Sequence, residues 1–103
     1  MRLLDTLSGE KREIPRGKRV NFFVCGPTVF DYSHIGHART YLAFDMLVRY
    51  LRAKGARVFY LQNVTDIDDK IIDRAREKKR RALELATAFY REYRRDMRTL
   101  NIK

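Results

Sequence analysis

Two short apolar runs flank one amphipathic stretch in this chain, and that order fixes most of what it can fold into. Val20-Asn21-Phe22-Phe23-Val24-Cys25 is rich in β-branched and aromatic residues and closes on Gly26-Pro27. It reads as a buried strand with a sharp exit, because proline has no N–H to give to a ladder. From about Ile35 to Lys54 the period lengthens: Ala43, Leu47, Tyr50 and Leu51 recur at i, i+4, i+7 and i+8, with Arg49, Arg52 and Lys54 mostly elsewhere. The spacing predicts a helix that buries this stripe, and Gly55 stands where a left-handed C-terminal cap belongs. Arg57 to Val64 is a second strand pattern. Strand, helix, strand over about 45 residues is a βαβ unit, with parallel strands and a right-handed crossover expected.

The flanks add less. Residues 1–18 are polar, punctuated by Gly9, Pro15 and Gly17, with a short strand pattern around Arg2–Thr6 followed by a turn. Asp68 to Leu100 contains neither Gly nor Pro and reads as helical, with Leu83, Ala86, Phe89, Tyr90, Tyr93 and Met97 forming a core stripe. One helix of about 30 residues would run roughly 45 Å, too long to pack fully on a single βαβ unit. Two helices with a bend near Lys78–Arg81 are therefore expected. The fold class is α/β, a half-Rossmann parallel βαβ unit with C-terminal helices, as one domain over residues 1–103.

Charge narrows the partners. The chain carries 23 Lys and Arg against 13 Asp and Glu, a net charge of +10, which favours polyanions such as RNA or nucleotide phosphates. Residues 71–103 alone hold 11 basic and 5 acidic side chains; this pattern suits either a solvated helix face or an RNA contact. A single cysteine excludes an intrachain disulfide and fits a reducing compartment. The first residues lack the apolar run of a signal peptide, and no stretch approaches the roughly 20 apolar residues that span a bilayer. No membrane association and a cytoplasmic location are expected.

The only cysteine and the only two histidines fall in one run, Cys25-Gly26-Pro27-Thr28-Val29-Phe30-Asp31-Tyr32-Ser33-His34-Ile35-Gly36-His37. His34 and His37, at i and i+3 where the strand gives way to the helix, share a face of the first turn, where backbone N–H groups also converge on anions. Gly36 between them lets a ligand approach the backbone closely. Thr28, two residues past Gly26, is a candidate phosphate or ribose contact. Cys25 with two histidines invites a zinc site, yet no fourth ligand stands in a matching motif; Cys25 as a small buried residue at a strand end is the rival reading. Thr65 opens Thr-Asp-Ile-Asp-Asp-Lys at the end of the second strand. Ligands of open α/β sheets sit outside the carboxyl ends of strands, so Cys25 and Thr65 are expected to border one crevice. Asp66, Asp68 and Asp69 read either as a magnesium cluster or as the start and cap of the next helix.

These strings, CGPTVFDYSHIGH followed at a set distance by NVTDIDDK, closely resemble the N-terminal part of the cysteinyl-tRNA synthetases, class I enzymes whose nucleotide signature is HIGH. The resemblance covers essentially the whole chain and implies a HUP-like nucleotide-binding fold. By resemblance, ATP and L-cysteine with Mg2+ give cysteinyl-adenylate, and tRNA(Cys) then accepts the cysteine. His34 and His37 would be catalytic and, with Thr28 and Gly36, would bind ATP; Gly26 and Thr65 would hold the cysteine. Cys25 would be one of four ligands to a Zn2+ that takes the substrate thiolate, the other three lying beyond residue 103. The family's usual Gly or Pro break in the C-terminal helices is replaced here by Arg76-Glu77-Lys78-Lys79-Arg80-Arg81-Ala82. The family's second half of the nucleotide fold, its KMSKS loop and its anticodon-reading region have no counterpart in these 103 residues. An exposed edge and face are accordingly expected to favour self-association or a chain that completes the site. Two other readings stand beside this one: a non-catalytic nucleotide- or RNA-binding module, and a mycothiol-type cysteine ligase.

Overall fold

The computed structural model describes residues 1–14 and 19–102; Pro15 and Gly17 lie outside them. Strands β1 (Arg2–Asp5) and β2 (Glu10–Glu13) form an antiparallel hairpin. Its turn is tied by Asp5, whose carboxylate accepts from Leu7 N–H and from the Ser8 hydroxyl, and Gly9 takes the left-handed conformation that closes it.

Strand β3 (Arg19–Val24), helix α1 (Ile35–Ala53) and strand β4 (Arg57–Gln62) form the expected βαβ unit, and β3 pairs with β4 in parallel, Arg19 beside Arg57 through Val24 beside Gln62. The strands alternate. Val20, Phe22 and Val24 with Val58, Tyr60 and Gln62 turn to the side where the helical residues pack, and Phe23, Phe59 and Leu61 on the other side are exposed. The first strand, read as buried, is thus covered on one face of the pair.

Helix α1 is rotated from the expected stripe. Tyr41, Asp45, Val48 and Leu51 are buried, while Ala43 is exposed and Tyr50 is 45% exposed. Polar groups share the buried face with Val48 and Leu51. Tyr41 brings its ring against Tyr93, and the buried Asp45 carboxylate is neutralised by Arg49 one turn on. A charge inside a stripe hides it from any apolar count.

The C-terminal region is two helices, α2 (Asp69–Glu77) and α3 (Ala82–Thr99). The break falls at Lys78–Arg81, where Lys79 adopts φ 51°. Arg80 N–H bonds back to Ala75 O and Lys79 N–H to Arg76 O, the paired bonds of a Schellman cap. The same pattern ends α1 at Gly55 and α3 at Asn101. Leu85, Ala86, Phe89, Tyr93 and Met97 form the buried face of α3, whereas Leu83 is exposed and Tyr90 is at the margin. Two apolar clusters result. Val29, Ile71, Ala75, Leu85, Ala86 and Phe89 join the post-β3 loop to α2 and α3, and Val24, Tyr41, Tyr93 and Met97 join β3, α1 and α3.

Candidate nucleotide and amino-acid site

Beyond their regular ladders the two parallel strands stay stitched together. Thr65 N–H donates to Pro27 O at 3.0 Å, Val29 N–H donates to Thr65 O at 3.1 Å, and Thr28 and Thr65 form a parallel bridge. Gly26 N–H donates to the Asn63 side-chain Oδ1 at 2.8 Å. The backbones approach so closely that a methyl on Gly26 would sit 1.6 Å from Asn63 O. Gly26 is therefore set by strand contact, a reason that holds with or without a ligand. Nothing in the periodicity marks Asn63 as the residue that anchors Gly26.

At the other side of this carboxyl end, His34 is the N-cap of α1, with φ −122° and ψ 174°. Its Nδ1 accepts from Gly36 N–H at 3.1 Å, and Nδ1 of His37 accepts from His34 N–H at 3.2 Å. This is the reciprocal arrangement of a capping box, built from two imidazoles in place of Ser/Thr and Glu/Gln. His34 O takes the N–H groups of His37 and Ala38. The backbone N–H groups of Gly36, His37 and Ala38 are engaged within the turn. The rings stand 4.1 Å apart. Burial, and then the neighbouring His34, hold the His37 imidazole below its ordinary pKa. Gly36 also has an internal reason to be glycine, since a methyl there would lie 2.8 Å from His34 Cε1 and 2.9 Å from its Nδ1.

Aromatic groups connect the two halves. The Tyr41 ring lies 6.5 Å from His37 and 5.7 Å from Tyr93, and the Tyr93 hydroxyl donates to Gln62 Oε1 at 3.0 Å. Gln62 Nε2 is buried without a hydrogen-bond partner. Burial pushes the phenols of Tyr41, Tyr60 and Tyr93 up. The Tyr41–Tyr93–Gln62 network escapes sequence reading, because each member looks like an ordinary core or strand residue.

The acidic motif resolves as a cap. Asp68 is the N-cap of α2 and accepts from Lys70 N–H at 2.9 Å, and Asp69 lies in the first turn, where a carboxylate suits the helix dipole. Asp31, inside the first motif, pairs with Arg74 of α2 at 2.6 Å. Cys25 is exposed, which removes the buried-residue reading. It offers one thiol of the four ligands that structural zinc takes, and among the described residues no three His, Cys, Asp or Glu side chains are grouped to hold a metal. These residues do not fit zinc by themselves, and no chemical step here runs through it. No helix among the described residues is long and apolar enough to cross a membrane.

A parallel strand–helix–strand unit thus carries His-Ile-Gly-His at its strand-to-helix turn. Residues 12–103 match the family model described as the tRNA synthetases class I (C) catalytic domain, and the chain belongs to that family. It is similar to the cysteine–tRNA ligase of Thermoplasma volcanium, 54% identical over 93 residues that make up 90% of this chain and 20% of the relative. It is similar also to that of Pyrococcus furiosus, 49% identical over 105 residues, covering 100% of this chain and 22% of the relative. The Aeropyrum pernix cysteine–tRNA ligase is 54% identical over 84 residues, 82% of this chain and 18% of the relative. The chain thus spans about a fifth of the length of the curated relatives it matches.

Proposed function

We propose that residues 1–103 act as the N-terminal catalytic segment of a cysteine–tRNA ligase, one half of a Rossmann-like nucleotide fold. In the reaction, a carboxylate oxygen of cysteine attacks the α-phosphorus of ATP, and pyrophosphate leaves. The ribose hydroxyl of tRNA(Cys) then attacks the carbonyl of the resulting cysteinyl-adenylate, and AMP leaves. The first step spreads negative charge over phosphoryl oxygens, so it is accelerated by positioned donors that need no reorganisation.

His34 and His37 supply those donors. Gly36 admits the nucleotide, Thr28 contacts its phosphate or ribose, and Gly26 and Thr65 hold the cysteine against the stitched strand ends. ATP arrives with Mg2+ on its phosphates; Asp68, spent on its cap, is not assigned to the metal. Cys25 would be this segment's single contribution to a zinc ligand set, and the other ligands would have to come from outside it. A reaction on tRNA fits the cytoplasm, where the basic C-terminal helices suit a polyanion.

The observation that carries this reading is the mutual cap of His34 and His37 at the carboxyl ends of the parallel strands. The names of the three relatives give the amino acid and favour tRNA over an amino-sugar acceptor. The test is cysteine-dependent ATP–pyrophosphate exchange by the purified chain, with His37→Ala as the control against contaminating enzyme. Exchange that disappears in the variant is expected. No exchange from a chain that is folded by circular dichroism would mean that the missing half must be supplied, or that residues 1–103 only bind. Exchange that persists in the variant would remove His37 from the chemistry.

A further inference from the structure

Each histidine of the pair uses Nδ1 as an acceptor: His34 from Gly36 N–H at 3.1 Å, His37 from His34 N–H at 3.2 Å. A ring nitrogen that accepts an N–H carries no proton, so the neutral ring must carry its proton on Nε2. A protonated ring has N–H on both nitrogens and cannot accept at either. Protonation of either residue therefore turns one cap bond into an N–H facing an N–H. Two imidazolium rings 4.1 Å apart would also repel each other.

We propose that His34 and His37 enter the chemistry as neutral Nε2–H tautomers, each fixed by its cap bond, so that the pair offers two aimed hydrogen-bond donors and no cation to phosphoryl oxygens. The catalytic feature is then direction rather than charge. The inference rests on the reading above only for the identity of the acceptor; the tautomer itself belongs to the free protein.

The surroundings of His37 agree. Tyr41, one turn on, faces His37 with a ring that burial keeps protonated. From α3, Asp96 lines the shallow depression that His34 also lines, with Ser33, Ile35 and Ala38. Its carboxylate would favour a cation, and it shares that depression with His34 and not with His37. Burial and the second ring, which lower the His37 pKa, oppose a cation at the position farther into the turn.

The experiment is long-range proton–nitrogen correlation spectroscopy of the uniformly 15N-labelled chain between pH 5 and 8. At pH 7.5 both rings are expected to show an unprotonated Nδ1 and a protonated Nε2. On acidification the amide signal of His34, the donor to His37 Nδ1, is expected to shift with a midpoint below the ordinary 6.5 of histidine. The variant pair His34→Ser and His37→Gln keeps a capping box with standard residues. It is expected to keep the thermal midpoint of the chain and to lose this acid transition. An Nδ1–H tautomer on either ring, or a midpoint at or above 6.5, overturns the proposal. Loss of exchange activity alone does not bear on it, so failure here and failure of the ligase reading are told apart.

Discussion

Replacing Gly26 with alanine tests how tightly the strand ends are joined. The new methyl would meet Asn63 O at 1.6 Å and Asn63 C at 2.8 Å, both backbone atoms, where side-chain carbons keep at least 3.0 Å. The Asn63 peptide would have to retreat by more than 1 Å. Three hydrogen bonds lie across that gap: Gly26 N–H to Asn63 Oδ1, Thr65 N–H to Pro27 O, and Val29 N–H to Thr65 O. At about 0.5–1.5 kcal/mol each, their loss or stretching removes roughly 2–4 kcal/mol. That is a large part of the about 5–15 kcal/mol typical of a domain. Gly55→Ala is the comparison, because Gly55 has φ +82° and nothing within 4 Å. It should cost only the left-handed strain of about 1–2 kcal/mol, partly offset by about 0.4–1 kcal/mol of lost unfolded-state freedom. Urea unfolding followed by circular dichroism measures both, with the slope checked for constancy. A Gly26→Ala loss below about 1 kcal/mol, or one no larger than that of Gly55→Ala, would refute the close-approach argument.

Two further outcomes follow from the same geometry. Gly36→Ala gains about 1 kcal/mol of helix propensity and loses a cap of similar worth, so stability should barely move. The His34 ring must still turn away from Gly36, and faster hydrogen exchange at the Gly36-equivalent amide checks this; unchanged exchange would contradict it. Tyr93→Phe removes the hydroxyl donor to Gln62 Oε1 and should cost about 1–2 kcal/mol near neutral pH. Because burial raises the Tyr93 pKa above its ordinary 10.0, its contribution is complete below pH 10 and lost as pH rises beyond it. The variant should therefore lose less stability than the parent in urea titrations between pH 9 and 11.

The βαβ order and the two C-terminal helices were legible because strand and helix periods differ, and because Gly26-Pro27 and Gly55 punctuate them. The helix break was argued from length, since its chemical signal is absent. Lys79 occupies a left-handed position usually given to glycine, and the cap bonds to Ala75 and Arg76 hold it there. The rotation of α1 was not legible, because Asp45 lies in the buried stripe and its neutralisation by Arg49 depends on geometry. His34, Gly36 and His37 could be placed at the turn from spacing alone. Their use of each other as caps could not, since an imidazole is not an expected capping group. The metal expectation turned on grouping in space: Cys25 is exposed, no three metal-ligating side chains are grouped among the described residues, and Asp68 spends its carboxylate on a helix end.

The bonds that join Gly26–Val29 to Asn63–Thr65 also bear on motion. Thr65 stands four residues before the start of α2, and Val29 is buried in the same cluster as Ile71 and Leu85. A displacement of either strand end would have to drag the other, together with the helical layer behind them. These segments therefore behave as an anvil: any closing of the site around its ligands must be carried out by whatever approaches it, with the hinge placed elsewhere.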